Sequence, residues 1–248
     1  MKFILSPSKA FKIQKTTIKA TRPHGHSLTQ PLLASLKSCN TKQLQTLFSI
    51  SEKLANKLFE ELQNPVVHPA IFYYFGEAFK YLHVSDMTHQ HVHYLQEHAY
   101  IYSTLYGLLK PLDKIQSYRL DFLTPFEQLG YQNPSTIIKH DVTQQLIHSH
   151  HKVIVLICSQ EFKDKIDLNE LKSHALIIDT SFISIMDGQE KIISVHAKHA
   201  RGAFLRACTH QNIVNINSLY KLESFDEWQL DKVLSSPTHR IYKKTFKK

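Results

Sequence analysis

One short run of β-branched and aliphatic residues constrains the fold of this chain most strongly. Residues 152–158 read KVIVLIC, and no polar side chain interrupts the run between Val153 and Cys158. A strand with one solvated face alternates apolar and polar residues, whereas a strand covered on both faces does not. The run therefore predicts a buried central strand with helices packed on both faces of its sheet.

Further strands are predicted at both ends of the chain. The start, MKFILSPSKAFK, has too short an apolar stretch for a signal peptide, so residues 2–5 are expected to form the first strand. Asp187 and Gly188 separate the apolar runs ALIIDTSFISIM and KIISVHA, which predicts a tight hairpin. The segments NIVNINSL and HRIYKKTF, residues 212–219 and 239–246, supply two more strand candidates.

Helices are predicted mainly in the first two thirds of the chain. Residues 28–62 have helical periodicity, and so do residues 92–109, with a predicted end at Gly107 and Pro111. Another helix is expected after Pro134. The order of one strand, several helices, another strand, a hairpin, a helix and then strands predicts a single mixed unit, α+β or α/β, that spans residues 1–248 and has a central β-sheet with surrounding helices.

Composition limits the classes of function. The chain has 248 residues, a formal net charge of +9 and a pI of about 9.3, which favours partners such as nucleic acid or phosphorylated small molecules. No apolar run reaches the length of a membrane span, so no membrane association is expected. Cys39, Cys158 and Cys208 are far apart and odd in number, which predicts free thiols and a reducing cytoplasm.

Three fixed cations occur in the stretch KIISVHAKHARGAFLRA, residues 191–207. If a helix begins near Ala197, its small residues face inward, and Lys198, Arg201 and Arg206 face outward. Lys198 and Arg201 then lie in the first turn, where the helix dipole disfavours cations unless an anion is nearby. The stretch is interpreted either as an anion-binding site or as an ordinary solvated surface.

Residues 41–63 contain two short amphipathic segments that meet at Ser49 and Ser51. This pattern resembles a helix-hairpin-helix, in which hairpin amides bind a DNA phosphate without reading the base sequence. Ser51 is expected to cap the second helix, and Lys53 would add a cation. Because serines replace the glycines that are usual in the hairpin, a plain helical hairpin is the alternative interpretation.

Other motifs are less informative. Lys110, Lys114 and Arg119 are interleaved with aromatic residues, a mixture that suits phosphate contact with base stacking but also the packing of a helix end. His89 and His93 would share a helix face, yet no acid or cysteine completes a ligand set, so no metal site is expected. The chain has six glycines and no glycine-rich nucleotide-binding motif, so no cofactor is expected.

Five segments together resemble a known family. They are MKFILSPSK, LFSISEKLA, LYGLLKPLDKIQSYRLDF, CSQEFK and AKHARGAFLR, in the same order across almost the full chain. The chain is similar to the YaaA family of bacterial peroxide-stress-resistance proteins. The resemblance implies an α+β fold other than a Rossmann fold or a TIM barrel, and a cytoplasmic protein that lowers free iron and limits Fenton damage to DNA. It also implies DNA binding through a helix-hairpin-helix and a basic cleft.

The resemblance assigns the cleft to particular positions of this sequence. They are Ser6, Lys9, Lys53, Arg119, Ser159, Lys163, Lys198, Arg201 and Arg206.

Two functions stay open. One is a stress protein that binds DNA independently of sequence. The other is an enzyme for a phosphorylated or nucleobase-containing small molecule, with Lys9 or Lys163 as acid, base or nucleophile. A closed cavity favours the enzyme, and an open groove continuous with residues 44–62 favours DNA. The sequence indicates neither the oligomeric state nor an iron ligand.

Overall fold

The fold is described from a computed structural model, in which residues 1–132 and 134–246 are described. These residues form an α+β fold with a mixed nine-stranded sheet and a separate two-stranded ribbon, around one hydrophobic core. The prediction of a central sheet surrounded by helices is confirmed. The strands are β1 Lys2–Leu5, β2 His68–Pro69, β3 Ala99–Ser103, β4 Gly107–Leu109, β5 Lys114–Ile115, β6 Val153–Leu156, β7 Leu176–Met186, β8 Gln189–Lys191, β9 Ser224–Phe225, β10 Trp228–Leu230 and β11 His239–Phe246.

The helices cover both faces of the sheet's centre and the ends of its strands. They are α1 Thr29–Ser38, α2 Thr41–Phe48, α3 Glu52–Gln63, α4 Ala70–Tyr73, α5 Glu77–Leu82, α6 His89–His98, α7 Pro134–His148, α8 Gln160–Lys163, α9 Leu168–Lys172, α10 Ser194–His210 and α11 Ile216–Tyr220. Two 3₁₀ turns, Val84–Asp86 and Phe126–Leu129, complete them. The helical prediction for residues 28–62 is confirmed, but the segment forms three helices, α1, α2 and α3, separated by two short breaks. The helix predicted after Pro134 is confirmed as α7.

The order of the main sheet is β4-β3-β1-β6-β7-β11-β10-β9, with β8 paired to the second half of β7. Strands β3, β1, β6, β7 and β11 are parallel, and the outer strands are antiparallel. Two inner strands, β1 and β6, are buried on both faces, as the uninterrupted run in residues 152–158 predicts for β6. The predicted strand at residues 239–246 is also confirmed, as β11.

The hairpin at Asp187 and Gly188 is confirmed. Strands β7 and β8 are antiparallel, with Met186 opposite Gln189. Asp187 has φ = 51° and Gly188 has φ = 75°, so both central residues are left-handed, as a two-residue type I′ turn requires. Strand β8 is short and exposed, and the chain leaves the sheet after Lys191.

The prediction of a helix over residues 92–109 is wrong beyond His98. Helix α6 ends there, and Ala99 begins β3, which pairs in parallel with β1. Gly107 does not end a helix: with φ = 69° it begins β4, the antiparallel return strand. Strand β3 is largely buried on both faces, so its apolar residues do not alternate, and their spacing fits a helix as well as a strand.

Two other predicted strands are helix starts. Residues 192–195 are not a strand, because α10 begins at Ser194, three residues before the expected start at Ala197. Lys198 and Arg201 therefore lie beyond the first turn, and the argument from the helix dipole does not apply to them. Within residues 212–219, the Asn215 and Ser218 side chains accept each other's backbone amide hydrogens, and this capping box starts α11.

Helix α10 packs very closely on α5. The closest point is Gly202, where a Cβ atom would lie 1.9 Å from the carbonyl oxygen of Ala78 and 2.9 Å from the amide nitrogen of Leu82. Only a residue without a side chain lets the two backbones approach so closely. This contact brings the cations of α10 beside the start of α5.

No helix within residues 1–132 and 134–246 has both the length and the apolar character needed to cross a lipid bilayer.

Candidate functional site

The candidate site lies where β1 and β6 end at the carboxyl edge of the parallel sheet. The chain leaves β1 through Ser6 and leaves β6 through Ser159, and the two serines meet. The Ser159 amide donates to Ser6 Oγ at 2.9 Å, and the two hydroxyl oxygens are 3.3 Å apart. Open sheets of parallel strands bind ligands at this edge, so residues that are 153 positions apart in sequence join one site.

A cavity of about 690 Å³ also lies at the opposite edge, beside the amino end of β3. Arg22, Tyr100 and Lys110 are among its lining residues, but the described residues that line it include none of the predicted site residues. The cavity at the carboxyl edge is smaller, about 530 Å³, yet it brings several of them together. We therefore assign the candidate site to this carboxyl-edge cavity.

Four segments form the carboxyl-edge cavity. They are the loop after β1, the start of α5, the loop around residue 121 and the turn that begins α8, and α10 closes one side. Five of the predicted site residues line it, namely Ser6, Lys9, Ser159, Lys198 and Arg201. The structure thus brings these residues together. Ser49, Ser51, Lys53, Arg119, Lys163 and Arg206 are not among its lining residues.

Arg201 is the cation most clearly directed at a ligand. It lines the cavity from α10 and has neither an ion pair nor a hydrogen bond with any residue that the structure describes. Burial lowers the pKa of Arg201, although the nearby Cys158 and Asp179 oppose that effect. A partly desolvated guanidinium without a partner is unfavourable, so its position indicates a place for an anion.

Lys198 lies one turn before Arg201 on the same helix and lines the same cavity. Its side chain is exposed, and no ion pair or hydrogen bond with the rest of the described chain holds it. Lys198 and Arg201 are therefore two cations that an incoming anion can reach without displacing a carboxylate.

Lys9 is neutralised within the cavity. Its ammonium group donates to the carboxylate of Asp121, which also accepts the hydroxyl hydrogen of Thr124. Burial raises the pKa of Asp121, but the hydrogen bonds from Lys9 and Thr124 outweigh burial and hold that pKa below its ordinary value. Lys9 is therefore positioned by Asp121.

Lys163 also has a carboxylate partner. It is buried behind the cavity and donates to Asp179 and, at 3.3 Å, to the carbonyl oxygen of Thr180. Asp179 accepts a second hydrogen bond, from the Thr180 amide, at 2.7 Å. This ion pair joins α8 to β7, directly below the loop that carries Ser159.

Two acidic side chains complete the cavity. Glu161 accepts a hydrogen bond from the Phe122 amide at 3.4 Å, and burial and the nearby Asp121 carboxylate raise the pKa of Glu161. Glu77 accepts hydrogen bonds from Lys80 and His199, which lower its pKa. Glu161 forms no ion pair among the described residues, although Lys9 and Lys165 are nearby, so its carboxylate is available to accept hydrogen bonds in the cavity.

The helix pair α2–α3 forms a separate surface. Ser49 ends α2 in a left-handed conformation with φ = 47°, and Ser51 caps α3 by accepting the Leu54 amide, as predicted for Ser51. The Ser49 and Ile50 amides donate to carbonyl oxygens at the end of α2, so these two hairpin amides are already bonded. Lys53 is exposed and has no ion pair within the described residues.

The two remaining predicted cations differ in their surroundings. The guanidinium of Arg206 forms two bonds to Asp86, at 2.7 and 2.9 Å, and one each to the carbonyl oxygens of Leu82 and His83. Arg206 thus holds α10 to the end of α5. Arg119 is half-buried and forms no hydrogen bond or ion pair with the residues described.

The thiols and histidines show no reactive arrangement. Burial raises the pKa of Cys158 to about 12 and also raises the pKa values of Cys39 and Cys208. No group of three histidine, cysteine, aspartate or glutamate residues is placed to hold a metal within residues 1–132 and 134–246, including the segment with His89 and His93.

Sequence reasoning missed two acidic residues, Glu161, which lines the cavity, and Asp179, which pairs with Lys163. Glu161 lies five residues after the end of β6, and a position so close to the carboxyl end of a buried strand was the available signal. Asp179 lies within the apolar run ALIID, where a lone acid indicates a paired or functional group.

Comparison with known proteins identifies relatives over nearly the whole chain. The family model described as "Peroxide stress protein YaaA" matches residues 1–234. A UPF0246 protein of Rickettsia rickettsii (strain Iowa) is 30% identical, covering 98% of this chain and 99% of the relative. A UPF0246 protein of Fusobacterium nucleatum is 28% identical over 98% of both chains, and one of Francisella philomiragia is 29% identical over 91% of this chain and 93% of its own.

Proposed function

Since this chain belongs to the YaaA family of peroxide stress proteins, we propose that it limits iron-dependent oxidative damage by binding DNA through the phosphates. The observation that carries the proposal is an excess of positive charge, +9 for the chain, with exposed cations that have no carboxylate partner among the described residues. Such cations replace the counterions of a duplex and provide affinity without sequence specificity.

Lys53 and Lys198 are the two cations best placed for this contact. Both side chains are exposed, and neither is paired within the described part of the chain. Lys53 follows the turn between α2 and α3, and Lys198 lies at the rim of the carboxyl-edge cavity. We propose that a duplex contacts these surfaces from outside.

In the turn between α2 and α3, we propose that side chains, more than backbone amides, contact the DNA phosphates. The Ser49 and Ile50 amides are bonded within α2, and Glu52 places a carboxylate in the first turn of α3. That carboxylate competes with a phosphate for the helix dipole. The hydroxyls of Ser49 and Ser51 and the ammonium group of Lys53 are therefore the phosphate-binding groups proposed here.

Contact with DNA explains protection better than thiol chemistry does. Thiolates, not thiols, attack peroxide, and the pKa values of Cys39, Cys158 and Cys208 are all raised by burial. The proposal therefore assigns no peroxide-reducing cysteine and no iron ligand. It places the protein in the cytoplasm, where free thiols stay reduced.

Salt dependence provides the test of DNA binding. Fluorescence anisotropy with a labelled duplex is expected to show affinity that falls about a hundredfold between about 50 mM and about 200 mM salt, if roughly four phosphates are contacted. Duplexes of unrelated sequence should bind equally well. Lys53→Gln and Lys198→Gln should each reduce the slope of log affinity against log salt by about 1.

Lys172→Gln is the matched control. Lys172 is exposed at the end of α9, forms no ion pair with any described residue and lies outside the carboxyl-edge cavity. Its loss should leave the salt slope unchanged. Affinity that does not vary with salt, or equal effects of the three substitutions, would contradict the proposal.

A further inference from the structure

The carboxyl-edge cavity contains a cation that DNA binding does not use. Arg201 is half-buried in the cavity wall, so the surface of a duplex cannot form close bonds with it from outside. Its guanidinium nevertheless forms no hydrogen bond or ion pair with any described residue, although Asp179 is near enough to favour its charged form. A guanidinium in this setting matches the two oxygens of a phosphate or carboxylate that enters the cavity.

The size and enclosure of the cavity indicate a small molecule. Its volume of about 530 Å³ lies within the range of sites that enclose a ligand of drug or cofactor size. No residue of α2 or α3 lines it, so it is not a groove that continues from the helix pair. A ligand that reaches Arg201 must therefore be compact.

The part of the cavity formed by α8 is acidic. Glu161 presents a carboxylate that forms no ion pair within the described residues, although Lys9 and Lys165 are nearby, and it lies beside Asp121, which is already paired with Lys9. A carboxylate in this position accepts hydrogen bonds from amino or hydroxyl groups. The ligand therefore has an anionic end and an end that donates hydrogen bonds.

Aromatic side chains also line the cavity. Phe75 and Phe162 both contribute to the cavity wall, and Phe162 is 5% exposed. Aromatic rings favour an apolar or planar ligand body. A ligand that combines an anionic group, a planar body and hydrogen-bond donors has the chemistry of a nucleotide.

We propose that the carboxyl-edge cavity binds a nucleoside monophosphate, with its phosphate on Arg201 and Lys198 and the donors of its base or sugar directed at Glu161. Lys198 lies at the rim and Arg201 deeper, so the phosphate is held between them. The site does not include the helix-pair surface, and it shares only Lys198 with the proposed duplex contact, whereas Arg201 and Glu161 belong to the nucleotide site alone.

Calorimetric titration of the full chain with adenosine 5′-monophosphate tests the site. The nucleotide is expected to bind, and Arg201→Gln and Lys198→Gln are each expected to weaken it at least about tenfold. Glu161→Gln should weaken the nucleotide several-fold without lowering the affinity for inorganic phosphate. Adenosine and inorganic phosphate should each bind at least about tenfold more weakly than the nucleotide. Lys172→Gln should leave all affinities within about twofold.

Different outcomes contradict the nucleotide site and the proposed DNA binding. Absence of nucleotide binding up to about 10 mM, or unchanged binding in both Arg201→Gln and Lys198→Gln, overturns the nucleotide site. Inorganic phosphate that binds as tightly as the nucleotide overturns the assigned ligand class. Because Lys198→Gln is an exposed substitution, a folding defect in Arg201→Gln does not remove the test. Duplex binding is measured on the same proteins, and an unsubstituted chain that binds the nucleotide but no duplex counts against the DNA proposal alone.

Discussion

Gly202→Ala is expected to lower the free energy of unfolding by about 3 kcal/mol, a fall of about 10 °C in melting temperature. The introduced Cβ atom would lie 1.9 Å from the carbonyl oxygen of Ala78, so α10 and α5 must move apart. The atoms that this Cβ atom would meet belong to the backbone of α5, which does not rotate away as a side chain does. Helix propensity alone predicts the opposite sign, because alanine is favoured over glycine by about 1 kcal/mol.

Thermal denaturation followed by circular dichroism measures this effect, and Gly130→Ala is the control. Gly130 has φ = 83°, but a Cβ atom there meets no atom within 4 Å. That substitution carries only the strain of the left-handed conformation, about 1 kcal/mol. A Gly202→Ala protein as stable as the unsubstituted chain would show that the helices do not approach as described.

Asp179→Asn is expected to lower the free energy of unfolding by about 3 kcal/mol, which is the low end for a broken buried ion pair. The side chain of Lys163 is 9% exposed and would lose its only anionic partner among the described residues. The value is at the low end because the Asp179 side chain is 36% exposed. Arg201 also loses a carboxylate that favours its charged form.

Chemical denaturation of a double-mutant cycle measures the coupling in this pair. Lys163→Met in the Asp179→Asn background should restore much of the stability, because no buried ammonium is then left without a partner. Asp121→Asn is the control, since it breaks the pair with the half-exposed Lys9 and should lower stability by less than about 1 kcal/mol. Equal losses for Asp179→Asn and Asp121→Asn would contradict the assigned burial of Lys163.

The parts of the fold that local chemistry determines were predictable from the sequence. The run KVIVLIC becomes β6, and Asp187 and Gly188 form their turn, because burial pattern and backbone preference act within a few residues. Strand β3 was not predictable in this way, because burial on both faces removes its alternation. The start of α10 at Ser194 was not predictable either, because the residues just before Ala197 have a strand-like composition.

The cations of the site could be predicted from the sequence, but their ion-pair partners could not. Cations were identified on separate segments, yet their partners are distant in sequence: Asp121 is 112 positions from Lys9, and Asp86 is 120 positions from Arg206. No local pattern indicates which cations such carboxylates neutralise. Only the folded chain distinguishes the paired Arg206 from Arg201, which forms no hydrogen bond or ion pair with the described residues.

If separate segments converge on one cavity that binds phosphate, a crystal soaked in tungstate, a phosphate analogue, should show anomalous scattering from tungsten in that cavity. We expect a tungsten peak between the side chains of Arg201 and Lys198 that disappears in crystals of Arg201→Gln. Tungsten bound only elsewhere on the surface, with Arg201 in contact with a protein carboxylate, would contradict it.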